Sequence, residues 1–277
     1  MIDTVFRLLF RFEGLMTEKQ ICQVLGITKY QDFENLRNLL NNDQRFVNVS
    51  SKLWKTASLD HFLDNQSLDK TSFVITDIET TGSIRGKDRI IDIAAVKVKN
   101  GEVIGEFNSL VNPEMKITIP IRRLTGITNK MVIGSPHIET VLPKFVEFVD
   151  DGVFVAHNAA FDFNFINHEI KRLKHQSFKN PIEICSYRLA KKAVPEATSH
   201  GIVALSKFFN YKMENHHRAM PDVKATLHFF NIFLKILAES GIDDLFQLIN
   251  LQKDKLTKKK LRKKIHKQFK YRKSKVK

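Results

Sequence analysis

Cysteine is scarce in this chain of 277 residues, which contains only Cys22 and Cys185. The two lie far apart and fit neither a disulfide framework nor the close spacing of a zinc site. Long apolar runs are also missing near the N-terminus, because Arg7, Arg11 and Glu13 interrupt the one candidate for a signal peptide or membrane span. We therefore expect a protein of the reducing cytoplasm that does not associate with membranes.

Acidic residues are too few to balance the basic ones, and the net charge is +15. Residues 253–277 contain fourteen lysines or arginines and a single acid, Asp254, so this tail carries thirteen of the fifteen excess positive charges. A basic tail attracts phosphates in a salt-dependent way without selecting a sequence. It predicts a nucleic-acid partner, and a tail that only increases solubility is the alternative.

Residues 1–57 have the pattern of a small helical unit. Apolar residues recur at helical spacing in two of its segments. Between those segments, Thr17 and Gln20 match a capping box at the start of a helix that Gly26 would end. Alternating residues at 46–55 predict a hairpin. Three helices and a hairpin resemble a winged helix, which would either bind duplex nucleic acid or hold a partner protein.

A polar stretch at 58–70 is the predicted linker to a second domain at 71–240, in which strands alternate with helices. This alternation predicts an α/β layer architecture. The expected strands lie at 73–78, 90–98, 103–111, 153–156 and 182–185. The expected helices lie near 121–124, 138–149, 163–173, 202–209 and 223–237. A tight turn at 99–101 would make the first three strands an antiparallel meander. Residues 241–277 are expected to form a helical extension and the basic tail.

Two carboxylates end the first strand of this domain. Because side chains alternate between the faces of a strand, Asp77 and Glu79 point the same way while Ile78 packs into the core. Like charges so close together repel each other, and a bound cation relieves the repulsion. Carboxylate oxygens without nearby cysteine or histidine ligands suit Mg²⁺ or Mn²⁺. Taken alone, a pair of acids at a strand end is more often solvated than catalytic.

Two further segments place an acid at the start of a helix. Asp162 ends a polar break that follows the apolar run at 153–156, and Asp222 follows Pro221, which suits a first helical turn. His217 stands five residues before Asp222. Helix capping is the simple explanation for each acid alone. Catalysis is favoured because three separate segments each present an acid at the end of an element.

These segments resemble the motifs of the DEDDh (DnaQ-like) 3′→5′ exonuclease family, which includes proofreading subunits of bacterial replicative polymerases. Residues 77–82 are similar to the first motif, 157–162 to the second and 217–222 to the third, in the family's order and approximate spacing. Residues 121–128 are similar to the element that follows the meander. The resemblance covers residues 72–237.

The resemblance implies a ribonuclease H-like mixed β-sheet flanked by helices. It also implies that two Mg²⁺ or Mn²⁺ ions are bound by four acids, Asp77, Glu79, Asp162 and Asp222. Phosphodiester hydrolysis builds charge on the attacking and the leaving oxygen, and two ions about 4 Å apart can clamp both. His217 would accept the proton of the attacking water, because a neutral imidazole is basic near pH 7. His216 lacks the family spacing and is expected to be a surface or packing residue.

By the same resemblance, five residues beside the acids would contact the substrate strand: Thr80, Thr81, Gly82, Asn158 and Phe161. The small side chains at 80–82 would let backbone amides approach the terminal nucleotide, and Phe161 would stack on a base or sugar. A simple turn at 80–82 and a buried aromatic ring that anchors the helix are the alternatives.

The expected activity is the release of nucleoside monophosphates from single-stranded 3′ ends of DNA. An RNA-trimming exoribonuclease of the same family is one alternative, because recognition of the 2′-hydroxyl cannot be read from the motif residues. A catalytically idle nucleic-acid-binding scaffold is the other, and the intact set of four acids argues against it. A DNA polymerase or another replication or repair protein is a candidate partner.

Overall fold

A computed structural model of the chain describes residues 5, 6, 9, 16–28, 30–43, 45–50, 52–56, 67–175, 178, 180, 182–213 and 216–252. These residues belong to two compact units, Met1–Gln66 and Ser67–Lys277. Among the described helices, none combines the length and the apolar character that crossing a bilayer requires. The basic tail at 253–277 and most of the predicted linker lie outside the described residues.

The first unit contains a small antiparallel sheet and helices. Its elements are β1 (Met16–Thr17), α1 (Glu18–Leu25), α2 (Tyr30–Asn42), β2 (Phe46–Ser50) and β3 (Leu53–Thr56). The strand order is β1-β3-β2, and β2 and β3 form the predicted hairpin. The capping box of Thr17 and Gln20 is confirmed, and Gly26 ends α1 in the left-handed conformation with a φ of 68°.

A buried carboxylate joins three elements of this unit. Glu18 in α1 accepts hydrogen bonds from Arg37 in α2 at 2.8 Å and from the indole nitrogen of Trp54 in β3 at 3.3 Å. The hydrogen bond from Arg37 lowers the pKa of Glu18. Val5 and Leu9, which are helical, are fully buried in the same core. This polar contact inside an apolar cluster fixes how the two helices meet the sheet.

The second unit is built on a five-stranded mixed sheet. Its strands are β4 (Ser72–Thr80), β5 (Ile90–Lys99), β6 (Glu102–Leu110), β7 (Val153–Ala156) and β8 (Glu183–Cys185). Its helices are α3 (Ile119–Thr125), α4 (Asn129–Val132), α5 (Ile138–Val149), α6 (Ala160–Arg172), α7 (Ser186–Ala193), α8 (Ile202–Phe208), α9 (Ala219–Ala238) and α10 (Leu245–Gln252). The strand order is β6-β5-β4-β7-β8, with β4 antiparallel to β5 and parallel to β7. All five predicted strands are present, whereas α4 and α7 were not predicted.

Helices cover both faces of this sheet. On one face, Val74 of β4 packs in a cluster with Phe145 of α5 and Phe163 of α6. On the other, the ring of Phe73 lies 5.1 Å from that of Phe230 in α9, in an edge-to-face arrangement. Since successive strand side chains alternate, the odd-numbered positions of β4, including Asp77, fall on the face that α9 covers.

Helix α9 runs antiparallel to β4, which brings its first turn to the end of the strand. Phe230 packs beside Phe73 near the start of β4, and Asp222 lies beside Asp77 near its end. Eight helical residues rise about 12 Å and four strand residues rise about 13 Å, so the two spacings match. The apolar contact at one end therefore sets the position of the acid at the other.

The first and last described segments of the second unit lie together. The amide of Leu68 donates to the carbonyl of Asp243 at 3.1 Å, and Ser67 forms a bridge with Asp244. Residues 67–70 of the predicted linker are therefore tied to the segment that precedes α10.

Candidate active site

Three of the four predicted acids form a compact cluster. Asp77 and Glu79 of β4 and Asp222 of α9 each offer a carboxylate oxygen, and these oxygens all lie within 4.8 Å of one another. Asp222 is only 4% exposed. Three hard oxygen ligands at this separation fit a Mg²⁺ or Mn²⁺ ion.

The fourth acid reaches the cluster from the opposite face of the sheet. Asp162 lies in the first turn of α6 and is 3% exposed. Its Oδ1 accepts a hydrogen bond from the backbone amide of Ile78 at 3.2 Å. Since Ile78 stands between Asp77 and Glu79, this bond places the fourth carboxylate beside the first three. The structure thus brings all four predicted acids to the end of β4.

The crowded carboxylates are electrostatically unfavourable without a cation. Burial raises the pKa of Glu79 to about 8 and that of Asp162 to about 7. Burial, followed by the charges of Asp162 and Asp222, raises the pKa of Asp77 well above its ordinary value. A divalent cation would stabilise the ionised carboxylates, so the electrostatics of the site fit a metal.

We expect the metal-free protein to lose stability as the pH rises from about 4 to about 8. The folded-state pKa values of Glu79 and Asp162 exceed their ordinary values of 4.5 and 3.8, so the native state retains protons that the unfolded chain releases. The free energy of unfolding then falls with rising pH. Thermal unfolding in EDTA at pH 5, 7 and 9 measures this, and added Mg²⁺ should restore most stability at the highest pH. A melting temperature in EDTA that rises over this range contradicts the prediction.

Two adjacent histidines share the carboxylate of Asp222. The ring nitrogen Nδ1 of His216 lies 2.9 Å from Asp222 Oδ1, and the backbone amide of His217 donates to Oδ2 at 3.3 Å. The two rings are 3.7 Å apart, and His217 has a φ of 65°. The expectation that His216 is a surface or packing residue is therefore wrong, because its imidazole contacts the acid cluster directly. Burial, and then the neighbouring His216, lowers the pKa of His217.

A fifth acid, Asp92, supports the histidine segment. Asp92 is 1% exposed and pairs across the sheet with Glu79. Its Oδ2 accepts hydrogen bonds from Nε of Arg218 at 3.1 Å and from the amide of Ala219 at 3.4 Å. Asp92 therefore fixes the backbone that directly follows His217. Its signal in the sequence is an acid within the apolar run at 90–96 of the strand predicted at 90–98.

Replacing Asp92 with alanine is expected to lower kcat by about 10–100-fold, as removal of a group that orients metal ligands usually does. Arg218 and the Ala219 amide would lose their acceptor, and the 216–222 segment would shift. Asp92→Asn keeps an oxygen for the Ala219 amide and should recover part of the loss. Steady-state cleavage of a labelled strand by both variants measures this. Equal activities for Asp92→Ala and wild type would show that the contact is dispensable.

The predicted substrate residues at 80–82 are engaged within their own turn. The Thr80 hydroxyl donates to the carbonyl of Gly82 at 2.5 Å, and the amide of Thr81 donates to the carbonyl of Arg89 at 2.8 Å. Both threonines are buried. We expected the backbone amides at 80–82 to approach the terminal nucleotide. The Thr81 amide instead donates within its own turn. The turn itself lies directly after Glu79.

The predicted substrate residues of the second motif differ in exposure. Asn158 is exposed and has a φ of 74°. Phe161 is partly buried, packs on the core and lies 5.7 Å from the ring of Phe165, which favours the helix-anchoring alternative. No pattern in the sequence indicates the partner of His157. Its Nδ1 lies 2.9 Å from the hydroxyl of Ser186, and this contact ties the end of β7 to α7. Burial lowers the pKa of His157 to about 4.

A mixed sheet that gathers four carboxylates at the end of its central strand defines an α/β site suited to metal-assisted phosphoryl chemistry. Comparison with known proteins agrees. Residues 74–230 match the RNase_T family model, described as an exonuclease. The DNA polymerase III subunit epsilon of Aquifex aeolicus is 40% identical over 192 residues, which cover 68% of this chain and 93% of that protein. The chain belongs to the RNase_T exonuclease family.

Two other similarities cover less of the matched protein. The PolC-type DNA polymerase III of Clostridium perfringens is 42% identical over 173 residues, which span 62% of this chain and only 12% of that polymerase. The structure of Escherichia coli exonuclease I in complex with a dT13 oligonucleotide superposes with a TM-score of 0.54 and 20% identity, covering 60% of this chain and 41% of that one. The superposition shows that the central mixed sheet and its helices have the ribonuclease H-like fold of exonucleases.

Proposed function

We propose that this protein is a metal-dependent 3′→5′ exonuclease that releases nucleoside monophosphates from the 3′ end of DNA. The observation that carries the proposal is the convergence of four buried or half-buried carboxylates, from β4, α6 and α9, at one point. The two polymerase relatives act on DNA by name, which favours DNA over RNA.

The proposed site residues have separate tasks. Two Mg²⁺ or Mn²⁺ ions would be held by Asp77, Glu79, Asp162 and Asp222, and would supply charge stabilisation to the attacking and leaving oxygens of the scissile phosphodiester. His217 accepts the proton of the attacking water, because its lowered pKa leaves it unprotonated at neutral pH. Asp222 and Asp92 hold the segment on which His217 lies. Asn158 and the turn at 80–82 flank the terminal nucleotide.

We propose that the first unit is a winged-helix-like domain and that it serves binding. The order β1, α1, α2, β2, β3 and the three-stranded antiparallel sheet support this interpretation. The unit and the basic tail both lie outside the family match at 74–230. Nucleic acid, or a polymerase or another replication or repair protein, is the proposed partner of these segments, and the tail would add salt-dependent attraction to phosphates.

The test is cleavage of matched single-stranded DNA and RNA, each labelled at one end, with Mg²⁺, Mn²⁺ or EDTA. A 5′-labelled DNA strand should give a ladder that shortens with time, and a 3′-labelled strand should release its label at once as a mononucleotide. EDTA should stop both. Cleavage of RNA alone would favour the exoribonuclease. Early release of a 5′ label would show that the enzyme degrades strands from the 5′ end. Binding without cleavage would favour the idle scaffold.

A further inference from the structure

The connection between β4 and β5 is a short, strongly basic loop. This basic loop, residues 82–89, contains three cations, Arg85, Lys87 and Arg89, and one acid, Asp88. The side chains of Arg85 and Lys87 are exposed, and neither forms a hydrogen bond or ion pair with any residue that the structure describes. Two cations therefore face solvent next to a site that is dominated by carboxylates.

The one acid of the basic loop is turned inward and fixes its conformation. Asp88 is 9% exposed and accepts hydrogen bonds from the hydroxyl of Thr81 at 3.2 Å and from the amide of Ile84 at 2.8 Å. A Cβ added to Gly82 would lie 2.5 Å from Asp88 Oδ2, so only glycine allows this approach. The carboxylate is thus withdrawn into the turn, whereas Arg85 and Lys87 remain outside it.

The basic loop follows β4 and approaches α6, two of the three elements that supply acids to the cluster. It begins three residues after Glu79, and its tip approaches α6, where a Cβ added to Gly86 would lie 3.4 Å from Nε2 of His168. His168 is on the helix whose first turn carries Asp162. A strand that enters the acid cluster along α6 would therefore pass the exposed side of this loop.

Phosphates next to the scissile one need cations that the acid cluster cannot supply. The four predicted acids carry no positive charge of their own, and in their ionised form they repel a polyanion at close range. Ions at the scissile phosphate offset this repulsion there, whereas the neighbouring phosphates would lie beyond them. Long, flexible Arg and Lys side chains at a fixed turn provide charge that is not specific for sequence. Ile84, 57% exposed at the same turn, offers an apolar contact to an unstacked base.

We propose that Arg85 and Lys87 of the basic loop bind the phosphates of the nucleotides that precede the 3′-terminal one. This inference rests on the proposed exonuclease function and adds to it a second binding region, for the single-stranded backbone behind the reacting end. It predicts that affinity for a long strand depends on the loop and that the chemical step does not.

The experiment compares wild type with Arg85→Ala/Lys87→Ala on a 5′-labelled single strand of about twenty nucleotides and on a dinucleotide too short to reach the loop. Loss of two contacts to a single strand should reduce the slope of log KM against log salt by about 1.4, which is about sevenfold in relative KM between about 50 and 200 mM salt. The kcat on the long strand, and both constants on the dinucleotide, should be unchanged. Lys99→Ala, a cation at the far end of β5, is the control and should behave as wild type.

An unchanged KM and salt slope on the long strand would overturn the inference, and so would equal effects on the two substrates, which would indicate a general distortion of the site. The same comparison by fluorescence anisotropy, with a labelled strand and no catalytic metal, tests the loop independently. Suppose that neither wild type nor the double variant cleaves DNA, but the affinity of the double variant for DNA depends less on salt than that of wild type. The exonuclease proposal then fails and the binding surface stands. If cleavage occurs and binding by the double variant is unaltered, only the loop proposal fails.

Discussion

Replacing Asp77 with asparagine is expected to abolish exonuclease activity and to make the metal-free protein more stable at pH 8. Loss of a residue that only supports a metal ligand lowers activity by up to about 100-fold. The loss for Asp77→Asn should be larger, because Asp77 itself would bind the ion. Stability should rise because the pKa of Asp77 is raised by burial and then by Asp162 and Asp222, so its ionisation opposes folding.

The measurement is kcat on a 5′-labelled strand together with thermal unfolding in EDTA and in Mg²⁺. Asp151→Asn, at an exposed position after α5, is the matched control and should leave both quantities unchanged. Mg²⁺ should raise the melting temperature of wild type by more than that of Asp77→Asn, because the variant binds the ion less tightly. Full activity of Asp77→Asn, or a lower melting temperature in EDTA, would remove Asp77 from the proposed metal site.

Replacing His217 with alanine is expected to lower kcat by about 10²–10⁴-fold, the usual contribution of a general base. His216→Ala should cost less, because we expect His216 only to hold Asp222 through the 2.9 Å contact to its carboxylate. The comparison is needed because the two rings lie against each other and both residues contact Asp222. Only the spacing of His217 relative to Asp222 matches the family motif.

The dependence of kcat/KM on pH separates the two histidines, because this ratio reports the ionising groups of the free enzyme. A base acts when it is unprotonated, so activity should rise with pH through its pKa. Burial lowers the pKa of His217, which places this rise below the ordinary value of 6.5. The rise should disappear in His217→Ala and persist in His216→Ala. The opposite pattern, with the larger loss in His216→Ala, would transfer the role of base to His216.

Local rules explain why much of the fold could be predicted. The capping box at Thr17 and the left-handed Gly26 are decided by groups three or four residues apart, so the sequence alone identifies them. The strands of the second unit were predicted for the same reason, since apolar runs bounded by turn residues need no distant information. Helix α4, of four residues, and α7, of eight, carry too few apolar positions for their periodicity to be recognised.

The candidate site likewise has features that the sequence predicts and features that depend on the tertiary structure. That acids end three separate elements was visible in the sequence, whereas their meeting depends on α9 lying antiparallel to β4 and on α6 lying on the opposite face. Asp92 and Arg218 are 126 residues apart, and no local pattern links them. His216 was assigned to the surface because spacing in the motif reports which residue matches a family and not which ring touches Asp222.

The sequence by itself determined the family, the order of the elements and the acids that a metal would need, because each is encoded by residue type and by spacing of a few positions. Only the tertiary structure decided which face of the sheet each carboxylate occupies and which buried groups hold the histidine segment. It also decided that Asp88 turns inward and leaves Arg85 and Lys87 of the basic loop exposed. These follow from packing between segments far apart in the chain, and packing is set by the shapes of all the partners together.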